Sequence, residues 1–349
     1  MFERGYLKSN LPEKLVPGEP FPEKKEELSD IFWRFLSSPH GSENDLTKTG
    51  LKKEFKKSDI YVPEIVGYPS ALQVFLQELS DGEITPGRLE QNLFYGFRGI
   101  TLDESLRYQI NLIYKSHKYI LLADLPKDSE IEGLYETGNK HYNHALELFE
   151  AGKFGASLNE MRVAFTSFAL YFSKREAHIK TGLEDGVKKL INEKSSLKKK
   201  KKINVLVGLG SGHTDIYHKF YQENPTAASR SFSSSPIVYT ASSEAVRRSM
   251  FSKQIPDRLL AQTFIEHVLM SQIEEQKLTD DHEEVERVLR EITNQLTPEN
   301  IEKMSQLYKS GRLDDGRLLK YLRSIGVKIP RINGKIFVYR KSREDDDDE

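Results

Sequence analysis

The chain of 349 residues contains no cysteine, which excludes disulfide bonds, thiolate nucleophiles and cysteine metal ligands. It has no apolar run of the roughly 18 residues that a membrane-spanning helix requires. The first residues lack the basic and then apolar pattern of a signal peptide. The sequence therefore predicts a soluble cytoplasmic protein with no membrane partner.

An excess of either charge is also lacking. The 52 Lys and Arg residues nearly balance the 53 Asp and Glu residues, and the formal net charge is −1. General nucleic-acid binding needs a basic surface, and the five lysines at 198–202 are more typical of a solvated loop. Residues 297–340 resemble a winged-helix module, but their acidic residues largely offset their basic ones. We therefore expect a small-molecule or peptide substrate and no nucleic acid, and the sequence leaves the oligomeric state open.

Short apolar runs alternate with helical patterns along the chain, which is typical of an α/β protein. This alternation predicts a mostly parallel central sheet with flanking helices. The predicted strands are 31–36, 59–62, 119–123, 205–209 and 237–240, with 229–235 as a Ser-rich loop and a hairpin at 328–339 around Asn333 and Gly334. The predicted helices are 42–57, 70–79, 102–116, 297–309 and 314–325, and a loop that contains Gly and Pro precedes residue 102. Residues 130–192 are predicted to form two or three helices with a break near 152–155. Residues 243–292 are predicted to be helical with a break at Pro256.

Four regions follow from these patterns. Residues 1–28 form an irregular lead-in, and residues 29–292 form the α/β domain with a helical insertion at about 130–195. Residues 293–341 form a small α+β appendage of two helices and a hairpin, and 342–349 form an acidic, disordered tail.

The most informative stretch is 203–220, where an apolar strand meets a glycine-rich turn and an amphipathic segment follows. His213 then lies at the carboxyl end of a strand, where open α/β sheets bind ligands. The turn matches none of the usual phosphate or nucleophile motifs. A dinucleotide fingerprint has Gly at the position of His213. A P-loop has Gly at the position of Val207 and Lys at the position of His213. A nucleophile elbow has Gly at the positions of Leu209 and His213.

Three other ionisable residues, His40, Glu64 and Asp124, also follow predicted strands. The carboxyl ends of parallel strands lie at one edge of a sheet, so these side chains could converge with His213 on one crevice. Polar residues also follow strands simply because loops are polar, and the pattern alone leaves both interpretations open.

The order of these motifs resembles a known superfamily. His40 is followed 24 positions later by Glu64, Arg175 and Glu176 form an Arg-acid pair in a helical region, and residues 210–213 read G-x-x-H after a Val-rich strand. This order is similar to that of the superfamily of the erythromycin esterases, the haem-binding ChaN-like lipoproteins and the TraB and Tiki proteins. The resemblance covers roughly residues 30–225, and Ser37 stands where the first motif usually has Gly.

The resemblance implies a hydrolase with one of two mechanisms, and the residues do not decide between them. In the esterase-like mechanism one His is the general base, Glu64 orients it and Arg175 stabilises the oxyanion. In the Tiki-like mechanism His40, Glu64 and His213 bind a divalent metal such as Mn, Co or Zn.

We predict that His40, Glu64, Arg175, Glu176 and His213 line one site, with His40 and His213 within roughly 12 Å of each other. Asp124, Tyr95 and Arg98 are the predicted substrate contacts. The resemblance to ChaN-like proteins also implies a non-catalytic alternative, in which the same cleft binds haem or another small molecule. Whether the protein is an enzyme therefore stays open at this point.

Overall fold

The structure, a computed structural model, describes residues 30–38, 45–96, 104–127, 129–210, 213, 215–232, 239–276, 278–279, 282–332 and 334–337. The strands are β1 (Asp30–Ser38), β2 (Ile60–Val62), β3 (Tyr119–Ile120), β4 (Lys202–Gly210), β5 (Ala228–Phe232), β6 (Arg331–Ile332) and β7 (Lys335–Ile336). The helices are α1 (Asp45–Lys57), α2 (Ala71–Asp81), α3 (Pro86–Gly96), α4 (Glu104–Ile113), α5 (Glu132–Glu150), α6 (Phe154–Glu193), α7 (Ser195–Lys198), α8 (Asp215–Glu223), α9 (Ala241–Met250), α10 (Asp257–Glu275), α11 (His282–Thr293), α12 (Pro298–Lys309) and α13 (Asp315–Ser324).

The central sheet has five strands in the order β3-β2-β4-β1-β5, and every neighbouring pair is parallel. This confirms the predicted α/β class with a parallel sheet. The middle strand β4 is buried on both faces, because Val205 and Val207 pack in one hydrophobic cluster and Leu206 packs in another. A strand covered on both faces reads as a nearly continuous apolar run, as residues 205–207 of β4 do, whereas Lys202 at its start is exposed.

Helices cover both faces of the sheet. The carboxyl-terminal half of α6 and helix α8 pack on one face through Ile179, Leu183 and Phe220. Helices α1, α2 and α4 pack on the other face through residues such as Phe55 and Leu76. Among the described residues, no helix is long and apolar enough to cross a membrane.

A third hydrophobic cluster has no sheet residue from β1 to β5. It joins α5, the amino-terminal half of α6, α9 to α13 and the β6–β7 hairpin. Helix α10 lies inside this cluster, with Leu260, Phe264 and Leu269 fully buried, and it also buries the polar side chains of Gln262 and Glu266. The predicted appendage at 293–341 therefore shares its core with the predicted helical insertion.

Helix α6 belongs to two clusters because of its length. Its 40 residues extend about 60 Å. Phe165 packs in the helical cluster, and Ile179 packs against the sheet. Arg175 and Glu176 lie between these two positions, where the helix passes from one core to the other.

Three predictions about local structure were wrong. The Ser-rich segment predicted as a loop contains strand β5, and residues 239–240 of the strand predicted at 237–240 are not in a strand. Pairing with β1 overrides the weak strand propensity of Ser229 and Ser231. The loop predicted before 102 contains helix α3, which begins at Pro86, because Pro is favourable at the first helical position. The predicted lead-in at 1–28 and the tail at 342–349 lie outside the described residues.

Candidate functional site

Three of the predicted site residues follow neighbouring strands of the sheet. Glu64 lies two residues after β2, Asp124 four residues after β3 and His213 three residues after β4. Because these strands are parallel and adjacent, their carboxyl ends meet at one edge. Arg175 and Glu176 reach the same edge from the middle of α6 and complete a cluster of five ionisable side chains.

Arg175 is held by two of the carboxylates. Its Nε donates to Asp124 Oδ1 at 2.8 Å and its Nη2 to Asp124 Oδ2 at 2.6 Å, which is a bidentate pair. The same Nη2 donates to Glu64 Oε1 at 2.9 Å. Burial opposes the charge of Arg175, but the bonds to Asp124 and the charge of Glu64 outweigh it and raise the pKa of the guanidinium. Asp124, a predicted substrate contact, therefore fixes the orientation of Arg175.

His213 lies between two glutamates. Its Nε2 is 3.0 Å from Glu64 Oε1, and its Nδ1 is 3.5 Å from Glu176 Oε1, which is an ion-pair distance and too long for a strong hydrogen bond. The backbone N–H of Gly210 donates to the other oxygen of Glu64. The glycine turn thus orients Glu64, and Glu64 orients the imidazole.

The surroundings of His213 favour its protonated form. Its side chain is 3% exposed, and this burial alone would lower the pKa. The charge of Glu64, the nearby carboxylate of Glu176 and the hydrogen bond to Glu64 act in the opposite direction and raise the pKa of His213 to about 9. At neutral pH the side chain is therefore an imidazolium, which can donate a proton but cannot accept one.

Two tyrosines border the cluster and were not predicted from the sequence. Tyr171 lies one helical turn before Arg175, its hydroxyl donates to Glu132 Oε1 at 3.3 Å, and burial raises its pKa to about 12. Burial and the charge of Asp124 raise the pKa of the Tyr68 hydroxyl. The spacing of four residues from Arg175 was the available signal for Tyr171. Tyr68 carries no comparable signal, because only the fold brings it close to Asp124.

Some predicted residues lie outside the described part of the chain. His40 and Arg98 are among them, and Tyr95 is in α3 but its side chain is not described. Their roles, and the predicted separation of His40 from His213, stay predictions.

The described residues do not fit a divalent metal in this arrangement. Within that part of the chain, no group of three or more His, Asp or Glu side chains could hold a metal ion. Glu64 Oε1 already faces a guanidinium at 2.9 Å and His213 Nε2 at 3.0 Å, and a dication there would meet two positive groups. Both ring nitrogens of His213 face carboxylates, which also leaves neither one directed at a haem iron. The metal set of His40, Glu64 and His213 remains a prediction, because it includes a residue that is not described.

Comparison of the chain with protein-family models, with curated proteins and with solved structures finds no match.

Proposed function

We propose that this protein is a hydrolase of the erythromycin-esterase, TraB and Tiki type, with its site at the carboxyl ends of β2, β3 and β4. One observation carries the proposal. A buried imidazole, two glutamates and an Arg-Asp pair come from four separate parts of the chain and form one connected cluster. Perturbed ionisable groups that cluster at such an edge are typical of active sites.

The protonation of His213 defines its role in this proposal. An imidazolium is a general acid, so His213 would transfer its Nδ1 proton, which makes no hydrogen bond within the described part of the chain, to the leaving-group oxygen when the acyl–oxygen bond breaks. Glu64 holds the ring, and its negative charge keeps the proton on His213 until the transfer. His40, two residues after β1, is the proposed general base that takes a proton from the attacking water.

Arg175 is the proposed group that stabilises the negative charge of the reaction intermediate. Its hydrogen bonds to carboxylates use Nε and Nη2. The N–H groups of Nη1 are therefore the proposed donors to the oxyanion that forms when water attacks the acyl carbon. The bidentate pair with Asp124 fixes the guanidinium before the reaction begins, so that it need not reorganise during the reaction.

A non-catalytic binding protein is the second candidate. The observation that favours it is that Glu176, His213 and Asp124 are each at most 3% exposed, so the cluster could serve mainly to shape a cleft. In that case the ligand would be a small polar molecule, because neither His213 nitrogen is directed away from a carboxylate.

Hydrolysis of activated esters, lactones and short peptides tests the proposal. We expect His213→Gln to lower kcat/KM at least about 100-fold, because a general acid contributes on the order of 100- to 10,000-fold. Glu64→Gln keeps the size of the side chain, and we expect a similar loss because its charge no longer stabilises the imidazolium. His178→Gln is the control, since His178 is exposed on the same helix as Arg175, and it should retain full activity.

Two results would count against a hydrolase. The first is a wild-type protein that turns over no member of the panel, and the second is a folded His213→Gln protein that remains fully active. Far-ultraviolet circular dichroism of each variant shows whether a loss of activity reflects unfolding. Either result, with the folded state intact, would favour the binding protein.

A further inference from the structure

We propose that the amino edge of the central sheet, opposite the candidate site, binds the surface of an anionic lipid membrane through a cluster of lysines. Nine lysines form this cluster, which we call the basic edge: Lys56, Lys57, Lys118, Lys194 and the five at 198–202. The inference does not depend on the proposed hydrolase. It departs from the sequence-based expectation of no membrane partner, which rested on the lack of a membrane-spanning segment.

Three adjacent strands bring these lysines together. Strand β4 begins at Lys202, Lys118 directly precedes β3, and Lys56 and Lys57 end the helix that leads into β2. These strands are parallel neighbours in the order β3-β2-β4, so their amino ends lie side by side. The run of five lysines, which the sequence alone indicates to be a solvated loop, therefore lies next to lysines from two other parts of the chain.

Side-chain contacts join these segments. Lys200 forms an ion pair with Asp59. Burial lowers the pKa of Lys118, the charge of Lys200 acts in the same direction, and the charge of Asp59 acts in the opposite one. Lys118 and Lys200 are therefore close enough for their like charges to interact. The hydroxyl groups of Tyr119 and Ser196 are hydrogen-bonded at 2.6 Å, which connects β3 to α7.

Acidic residues offset only part of the charge of the basic edge. The edge ends near α2, where Lys115 packs on Gly82 between Asp81 and Glu83. Four acidic residues lie among the nine lysines, namely Asp30, Glu54, Asp59 and Glu193. The surplus is therefore five positive charges, and because the formal net charge of the chain is −1, all other residues together carry −6. Such a separation of charge orients a molecule toward a negative surface.

The charged groups of the basic edge are accessible. Eight of its nine lysines are exposed, and Lys118 is half-buried. Within the described part of the chain, the ammonium groups of Lys198, Lys199 and Lys201 form no ion pair or hydrogen bond. These three side chains can therefore bind headgroups without breaking an existing contact.

The chemistry of the basic edge favours lipid headgroups over nucleic acid. Residues 54–60, 114–120 and 190–204 contain no arginine, the residue that binds guanine and phosphate through two parallel hydrogen bonds. Lysine is a compact point charge that needs no fixed partner geometry, which suits a fluid layer of headgroups. Stacking on bases needs open aromatic faces. Lys202 Nζ covers the Phe32 ring at 4.3 Å, and Lys194 Nζ lies 5.8 Å from the centroid of the Tyr119 ring.

Strand β4 determines how a bound molecule would be oriented. Its nine residues, Lys202–Gly210, extend about 26 Å from the basic edge toward His213. A protein bound through the basic edge therefore presents the candidate site to the water on the side away from the bilayer. Its substrate would then come from solution.

Vesicle flotation of the full-length protein tests the inference without any need for turnover. Phosphatidylcholine vesicles with about one third phosphatidylserine are compared with pure phosphatidylcholine vesicles, in about 0.1 M salt, where charges act over about 10 Å. We expect binding to the anionic vesicles alone and its loss in about 1 M salt. The triple variant Lys198→Gln, Lys199→Gln, Lys201→Gln should bind at least about 20-fold more weakly, because each lysine near such a surface contributes about fivefold.

The triple variant Lys253→Gln, Lys303→Gln, Lys320→Gln is the matched control. It removes the same charge from exposed positions outside the basic edge, and its binding should stay within about threefold of the wild type. Equal weakening of both variants would overturn the inference, because net charge alone would then explain binding. Two wild-type results would also overturn it: no binding to the anionic vesicles, or tighter binding to single- or double-stranded oligonucleotides. If the first triple variant does not fold, Lys199→Gln decides, with an expected loss of about fivefold.

Discussion

His213 is an imidazole held between two carboxylates, almost out of contact with solvent. In water its protonated and neutral forms would be nearly balanced close to neutral pH. Here Glu64 and Glu176 together outweigh the cost of burying the charge. The protonation state of His213 at neutral pH is therefore set by Glu64 and Glu176 and not by the ordinary pKa of an imidazole.

The proton on His213 makes stability depend on pH. The pKa is about 9 in the folded protein against 6.5 for the free side chain, so the folded state binds the proton more tightly than the unfolded state does. The resulting stabilisation is complete below about pH 6.5 and is lost as the pH rises through about 9. Its upper limit is about 3 kcal/mol, since each pKa unit corresponds to about 1.4 kcal/mol. Urea denaturation between pH 6 and 10 should show this fall in the free energy of unfolding.

His213→Gln provides the comparison for that measurement. Other groups also make stability depend on pH; burial, for example, lowers the pKa of Lys118. The difference between the two proteins removes their contribution. We expect the difference to shrink as the pH rises from 6.5 to 9, and a difference that stays constant over this range would show that His213 is not protonated in the folded state.

Helix α6 lies close to the chain that follows β3, because it has glycines where the two segments meet. A Cβ atom at Gly182 would be 3.0 Å from the carbonyl oxygen of Ala123, and one at Gly186 would be 2.7 Å from Leu121 Cδ1. Ala123 precedes Asp124, and Gly182 lies seven residues, about two turns, after Arg175. The close contact at Gly182 therefore sets the distance over which Arg175 and Asp124 form their pair.

Gly182→Val should disturb both stability and the site. The added side chain meets backbone atoms that cannot rotate away, and such overpacking costs about 1 to 3 kcal/mol. We expect a lower urea midpoint and, because Asp124 shifts relative to Arg175, at least a tenfold lower kcat/KM.

Gly155→Ala on the same helix is the control for this change. A Cβ there meets no atom within 4 Å, and the substitution should be neutral or stabilise the protein by up to about 1 kcal/mol. A Gly182→Val protein as stable as the wild type would show that α6 does not need this close contact.

The two halves of helix α6 belong to two different hydrophobic cores of the molecule. Phe165 belongs to the helical cluster, which joins α5, the first half of α6 and α9 to α13. Ile179 belongs to the sheet cluster, which lies between the second half of α6, α8 and the sheet. Both residues are in α6. Because an uninterrupted helix crosses from one to the other, loss of the helical core should weaken the sheet as well. The site lies at this crossing and depends on both.

Met304→Ala tests that coupling. Met304 is fully buried in the helical cluster, and its truncation should cost about 2 to 5 kcal/mol. Trp33, the only tryptophan, packs in the sheet cluster and reports on the sheet by fluorescence. We expect the fluorescence and circular-dichroism transitions in urea to move together to lower concentration.

A surface substitution provides the reference for this experiment. Val74 is 58% exposed, and Val74→Ala should move neither transition. If Met304→Ala lowered only the circular-dichroism midpoint and left the Trp33 transition in place, the two cores would unfold independently.

Local patterns predicted most of the regular elements. The apolar run of β4, the break before α6 near 152–155 and the break at Pro256 all have direct signals in the sequence. Strand β5 had no such signal, and the signal for helix α3, Pro86 at its first position, is equally common in loops. Ser229 and Ser231 form a strand because β1 offers hydrogen-bond partners, and that partner lies almost 200 residues away.

The sequence by itself determined which side chains follow the strands, because apolar runs end within a few residues of Glu64, Asp124 and His213. It also determined the α/β class, since the alternation of elements is local information. Only the tertiary structure decided that these residues meet, because the strand order β3-β2-β4 brings their carboxyl ends together. It alone decided the proton on His213 and the partners of Arg175, since burial and the positions of opposite charges fix both.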